Sequence, residues 1–222
     1  MKIIAPFISI CLLLSACQGR GKNPSAVAKK TSVLTVPTDS SAYYFPLKKG
    51  LRGMNNREQS LDSFINTAYS HVLFHLKEPI LNNYSGAKEI YRFAYMPSMF
   101  NFPVSLTICK ENNDISMSAK VRYHWEGYHP KTMNIDTTFP ISSQDWDSLH
   151  ALLEKSNFWK LPADTGDSGV DGFDWMLEGT KDGNYHFLIR WSPGDERYPQ
   201  INACCEFVRS LALKSVDFHH QF

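Results

Sequence analysis

"DGFDWMLEGTKDGNYHFLIRWSP", residues 171–193, decides how this chain folds. Two strand-like runs flank "TKDGN", and Asp-Gly between such runs is the strongest short hairpin signal. Two registers compete. A two-residue loop sets Trp175 and Leu177 opposite Arg190 and Leu188, which mixes core and charge on one face. A three-residue loop, Lys181 to Gly183 with Gly183 left-handed in a bulge, sets Leu177 against Phe187 and Trp175 against Ile189. The other face then pairs Glu178 with His186, Met176 with Leu188 and Asp174 with Arg190. A slip of one residue flips every side chain, so the apolar pattern favours the three-residue loop. Cross-strand charge pairs contribute about 0.2–1 kcal/mol each, enough to read the run as a well-made hairpin. The functional reading makes Glu178 and His186 an acid/base pair, with Asp174 and Arg190 completing a polar site.

Outward from the hairpin, blocks of strands separate three helical segments. "SLDSFINTAYSHVLFHLKEP" spaces Leu61, Phe64, Ile65, Ala68, Val72 and Leu76 for a helix that Ser60 caps and Pro79 stops. A strand over Glu89–Tyr95 follows. "FPVSLTICK", "ISMSAKVRYHW" and "TMNIDTTF" then alternate apolar and polar residues, the mark of an antiparallel meander with one buried and one polar face. "ISSQDWDSLHALLEKSNFW" is a second helix, capped by Ser142 or Ser143, with Trp146, Leu149, Leu152 and Leu153 inward. A third starts near Pro199, where the missing N–H is harmless, and turns Ile201, Cys204, Cys205, Val208, Leu211 and Ala212 inward. The expected fold is α+β: an antiparallel sheet of about six strands with about three helices packed on one face.

Twenty-three Lys and Arg stand against twenty-two Asp and Glu. No basic block with interleaved aromatics occurs, so nucleic acid is not an expected partner. Residues 43–222 are long enough to form one domain with a real core. Residues 17–42 hold no aromatic residue and are rich in Ser, Thr, Lys and Pro, the composition of a flexible tether. Such a tether spans roughly 25–30 Å on average.

Other motifs fall short of a chemistry. "GDSG", Gly166 to Gly169, resembles the serine-protease nucleophile turn around Ser168, but Val170 stands where that pattern continues with Gly. "HWEGYH" brings His124, Glu126 and His129 together, but Gly127 and Pro130 exclude the helix that a His-Glu-x-x-His zinc site needs. Asp164, Asp167 and Asp171 sit in a Gly-rich loop that could hold a structural cation, yet their spacing misses the alternation of calcium loops. Asp side chains also fix turns by bonding their own backbone. No metal or other cofactor is therefore expected. Adjacent helical cysteines cannot bond each other, so Cys109, Cys204 and Cys205 read as buried free thiols, with a bridge from Cys109 to the third helix as the alternative.

The chain starts "MKIIAPFISICLLLSACQG", one Lys and then an apolar run too short to span a bilayer. "LSAC", Leu14 to Cys17, resembles the lipobox of bacterial lipoproteins. The resemblance implies a signal peptide over residues 1–16, cleavage before Cys17, and acylation of Cys17 as a membrane anchor. Each buried methylene of an acyl chain adds ~0.8 kcal/mol of membrane affinity. Gln18 follows the Cys and no acidic run comes after it, which implies the periplasmic side of an outer membrane. The stretch Phe158–Ala212, with "FWKLP", "GVDGFDWMLEG", "YHFLIRWSP" and "ACCEFVRSLA", resembles uncharacterised lipoproteins of the Bacteroidota type, a group without an assigned activity. The expectation is a membrane-tethered, non-catalytic binding protein with a cell-envelope protein partner. The alternative is a small envelope hydrolase using Glu178, His186 and Arg190. The candidate binding surface is the polar sheet face with Ser116, Ser118, Lys120, Arg122 and His124, or the Asp-rich loop before the hairpin.

Overall fold

The computed structural model describes residues 30–46, 56–97, 102–122, 135–167, 169, 171–194 and 196–218, with side chains described from 66 onward in the helix that begins at 56. The leader, Cys17, the His124–His129 segment and Ser168 lie outside the described residues. In chain order the elements are α1 (Asn56–His75), β1 (Glu89–Pro97), β2 (Val104–Glu111), β3 (Asp114–Val121), β4 (Ile135–Pro140), α2 (Ser143–Lys155), a 3-10 turn (Phe158–Lys160), β5 (Phe173–Lys181), β6 (Asn184–Trp191) and α3 (Pro199–Leu213).

Six antiparallel strands form one sheet in the order β4-β3-β2-β1-β5-β6. The α+β class, the six strands and the three helices agree with the sequence reading. The helix placement does not. Tyr91, Phe93 and Tyr95 of β1 share a core with Trp146, Leu149 and Leu153 of α2 and with Ile201, Cys204 and Val208 of α3. Ala94 and Met96, on the opposite side of β1, share a second core with Val72, Leu73 and Leu76 of α1. Two helices cover one face and α1 the other, so β1 and β5 are buried on both sides. Alternation is clear in β3, which turns Met117, Ala119 and Val121 inward and leaves Ser116 and Ser118 half-buried.

Local signals place the helix ends. Ser142 accepts from the Asp145 N–H at 3.0 Å and caps α2. Tyr198, with φ 58°, precedes Pro199 at the start of α3. The start of α1 differs from expectation, since the helix begins at Asn56, ahead of Ser60. At its other end Lys77 takes the left-handed conformation, φ 53°, and the Glu78 N–H reaches back to the Leu73 carbonyl at 3.0 Å. That closure ends the helix before Pro79 is reached.

The last part of the expected tether lies along the domain. Thr31 forms a parallel bridge with Tyr84, and the Ile80 N–H donates to the Thr35 carbonyl at 3.1 Å. Beyond it Tyr44 and Phe45 are fully buried, and the Tyr44 hydroxyl donates to the Glu78 carbonyl at 2.7 Å. Burying an aromatic or large aliphatic side chain contributes about 1.5–3 kcal/mol, which offsets the ordering of a short strap.

Candidate functional site

The hairpin register corrects the sequence reading and rearranges the expected site. Lys181 pairs with Asn184 across a two-residue turn, with Asp182 at φ 50° and Gly183 at φ 70°. Leu177 therefore faces Leu188, Glu178 faces Phe187, and His186 faces Gly179. The rejected register wins because its premise fails: charge need not face solvent when both faces of the sheet are covered. Of the four expected residues, Glu178 and Asp174 lie on the α1 face, while His186 and Arg190 lie on the α2/α3 face. His186 and Arg190 are four positions apart on one strand, which puts their backbones roughly 13 Å apart. The structure does not bring the four together.

Glu178 belongs to a buried ion network. Arg92 Nη1 donates to Glu178 Oε2 at 2.8 Å, and Arg92 Nη2 donates to the Pro79 carbonyl at 2.7 Å and lies 3.3 Å from Glu78 Oε2. Lys120 Nζ lies 3.4 Å from Glu78 Oε1 and donates to the Lys77 carbonyl. The Tyr185 hydroxyl donates to Glu178 Oε1 at 2.8 Å. Two cations and two carboxylates balance, and the network ties the end of α1 to the sheet. Lys120 and Arg122, expected on an open polar face, both reach carbonyls at that end of α1, with Arg122 Nη1 donating to His75 O at 2.8 Å.

Arg190 is buried and holds a loop. Its Nη2 donates to the Pro162 carbonyl at 2.8 Å, its Nη1 to the Ile189 carbonyl at 2.7 Å, and its guanidinium lies 5.2 Å from the Tyr198 ring. Asp174 accepts from the Tyr69 hydroxyl. The Asp-rich loop fastens itself. Asp164 accepts from the Gly166 N–H, and Asp167 accepts from Thr165 and Tyr198. Among the described residues no group of three His, Cys, Asp or Glu side chains is placed to hold a metal. Burial pushes the Cys204 thiol up to about 11, and Cys205 is raised for the same reason, so neither is a ready nucleophile.

A cavity of about 600 Å³ opens elsewhere, between α2, the 3-10 turn and the tip of the β5–β6 hairpin. Tyr91 and His186 flank Gly179 in one cross-strand row. A Cβ on Gly179 would stand 2.8 Å from the Phe158 ring and 3.1 Å from the Tyr91 ring. The bare glycine thus lets those rings close on the sheet, and His186 packs on Phe158 with centroids 5.0 Å apart. Trp159 forms a wall; α2 contributes His150, Leu153 and Glu154; the hairpin tip contributes Lys181, Asp182 and Asn184.

Behind this lining, three polar groups surround one carboxylate oxygen, and the Tyr91 hydroxyl donates to it. The Tyr91 hydroxyl lies 2.7 Å from Glu89 Oε1, His150 Nε2 3.0 Å and Lys181 Nζ 3.1 Å. Burial raises the Glu89 carboxyl, but His150, Tyr91 and Lys181 beside it outweigh burial and hold its pKa at about 2. The cluster clamps the helix, β1 and the hairpin into one rigid rim. No serine, threonine or cysteine lines the cavity among the described residues. Aromatic walls with a few convergent polar groups suit reversible recognition.

Only His186 of the expected site reaches this cavity. Tyr91, Glu89, His150 and Trp159 lie outside every candidate site motif of the sequence. His150 follows Trp146 by one helical turn on the buried side of α2, a spacing that marks it as a cavity-facing residue. No protein-family model matches the chain, and no curated protein matches it. Among the described residues no helix is long and apolar enough to cross a membrane.

Proposed function

We propose that this chain is an exported lipoprotein of the cell envelope, anchored through acylated Cys17 on the periplasmic side of an outer membrane. Its domain is a non-catalytic binding protein that takes its ligand, or a side chain of an envelope partner, in the cavity beneath α2. The observation that carries the binding part is that cavity: about 600 Å³, walled by Trp159 and Tyr91, with His150, His186, Glu154 and Asn184 converging and, among the described residues, no serine, threonine or cysteine in its lining. The "LSAC" run supports the anchor. The hydrolase alternative loses support because Glu178 lies across the sheet from His186 and Arg190.

Two readouts test this. A labelled fatty acid fed to expressing cells is incorporated by the native chain and lost in Cys17→Ala; label that persists in the variant contradicts the anchor. A photo-crosslinking residue at Asn184, on the cavity rim, captures a ligand or partner in native membranes, while the same residue at Thr138 on exposed β4 does not. Equal capture at both positions contradicts the cavity as the binding site.

A further inference from the structure

We propose that the cavity beneath α2 selects an organic cation, a primary ammonium or a guanidinium group, and rejects anions. This rests on the cavity being the binding site and adds the class of ligand.

The charge inventory of the cavity decides the sign. Glu154 on the helix side and Asp182 on the hairpin side are exposed rim carboxylates, and among the described residues neither is in an ion pair. Lys181 is the one ammonium in the lining among the described residues, and its Nζ is held 3.1 Å from Glu89 Oε1. Its charge is matched before any ligand arrives. Two carboxylates therefore remain in excess. No arginine lines the cavity among the described residues, so nothing there offers the fork that phosphate or carboxylate ligands need.

The helix adds to this field. Leu153 and Glu154 sit in the last turn of α2, and the carbonyl end of a helix carries a partial negative charge. Lys155, the basic residue of that turn, is not part of the lining.

The walls are of the matching kind. Trp159 and Tyr91 line the cavity, Trp159 half-buried and Tyr91 almost fully buried, and aromatic rings attract ammonium and guanidinium groups within about 6 Å of the ring centroid. The Tyr91 hydroxyl is already donated to Glu89, so it is committed before any ligand arrives. Rim carboxylates and aromatic lining together make a slot for a cation on an aliphatic stem. That chemistry occurs both in free di- and polyamines and in Lys or Arg side chains of a polypeptide.

The test uses the full chain in detergent micelles, with the Trp159 indole and the Asn184 amide followed by NMR. Putrescine, N-acetyl-lysine methylamide and N-acetyl-arginine methylamide are titrated separately, with butanediol as neutral control and succinate as anionic control. At least one cation shifts both resonances saturably at millimolar concentration, while the controls do not. The Glu154→Gln/Asp182→Asn double variant weakens binding by roughly fivefold to tenfold with its melting temperature unchanged. Added salt weakens binding to the native chain as well. Tighter binding of putrescine points to a free amine, and tighter binding of either amino-acid mimic points to a polypeptide side chain. The inference falls if no cation moves these resonances, if butanediol or succinate moves them equally, or if the double variant binds as tightly as the native chain. Should a control bind there instead, the cavity stands as a binding site with the wrong ligand class. Should the crosslink from Asn184 also capture nothing, the binding function itself is lost.

Discussion

Glu178 and His186 lie on opposite faces of the sheet, Glu178 opposite Phe187 beneath α1 and His186 opposite Gly179 beneath the 3-10 turn. They look like partners in the sequence, and the fold gives each a separate task. Glu178 neutralises the fully buried Arg92, and His186 lines a cavity.

The ion network gives the first prediction. Glu178→Ala leaves Arg92 buried with one fewer counter-charge, and loss of one partner of a buried pair costs about 3–5 kcal/mol. Arg92→Ala is expected to cost a similar amount. The double replacement Arg92→Met/Glu178→Leu leaves Glu78 with Lys120 and is expected to recover most of that loss. Urea unfolding of the three variants reads it directly; a double variant as unstable as either single would show that the charges are not coupled.

Glu89 carries a pH dependence of defined sign. Its folded carboxyl sits at about 2, below its ordinary 4.5. The unfolded chain therefore takes up the proton first as pH falls. The stabilisation is complete above about 4.5 and drains away toward about 2. Glu89→Gln is expected to flatten the stability profile across that window and leave the slope at neutral pH unchanged, as followed by thermal melts at stepped pH.

His75 acts in a separate window. Burial, then His71, then Arg122 lower its pKa below the ordinary 6.5. Arg122 Nη1 can only donate, so His75 Nδ1 is the acceptor at 2.9 Å, and its Nε2 proton points to His71 Nε2 at 2.8 Å. The unfolded imidazole protonates more readily, so stability falls as pH drops below 6.5. His75→Gln is expected to reduce the loss between neutral and mildly acidic pH without altering the Glu89 window.

Two glycines of the hairpin differ in what a methyl group would meet. At Gly183, with φ 70°, an alanine Cβ meets only ordinary contacts, Lys30 at 3.8 Å and Ser85 at 3.9 Å, but the backbone is unfavourable, and about 1–2 kcal/mol is expected to be lost. At Gly179 the cost comes from the Phe158 and Tyr91 rings, about 1–3 kcal/mol for overpacking, together with a reshaped cavity. Chemical denaturation gives both costs. Only Gly179→Ala is expected to move the Trp159 indole resonance.

Much of the fold is legible in the sequence. The helix α3 stripe Ile201, Cys204, Cys205, Val208, Leu211 and Ala212 is buried as read, and the Ser142 cap of α2 and the Asp-Gly turn stand where their residues put them. The register is not legible, because it depends on what covers each face. "FDWMLEG" alternates in a way that fits either phase once Glu178 has Arg92 to neutralise it, and that partner lies 86 residues away in the chain. The same distance effect hides the site. Glu89, His150 and Lys181 become neighbours only when β1, α2 and the hairpin pack; the spacing of His150 from Trp146 turns it to the buried side of α2 but does not name its partners.

Cross-strand proton contacts in the β5–β6 hairpin test the division of the polar residues most directly. With the Ile189 N–H turned outward to the Ala163 carbonyl, Glu178 and Phe187 form a pair whose α-protons approach closely. A strong α-proton contact between Glu178 and Phe187 is the expected result. A contact between Glu178 and His186 in its place would return the acid and the histidine to one face and contradict both the cavity and the buried network.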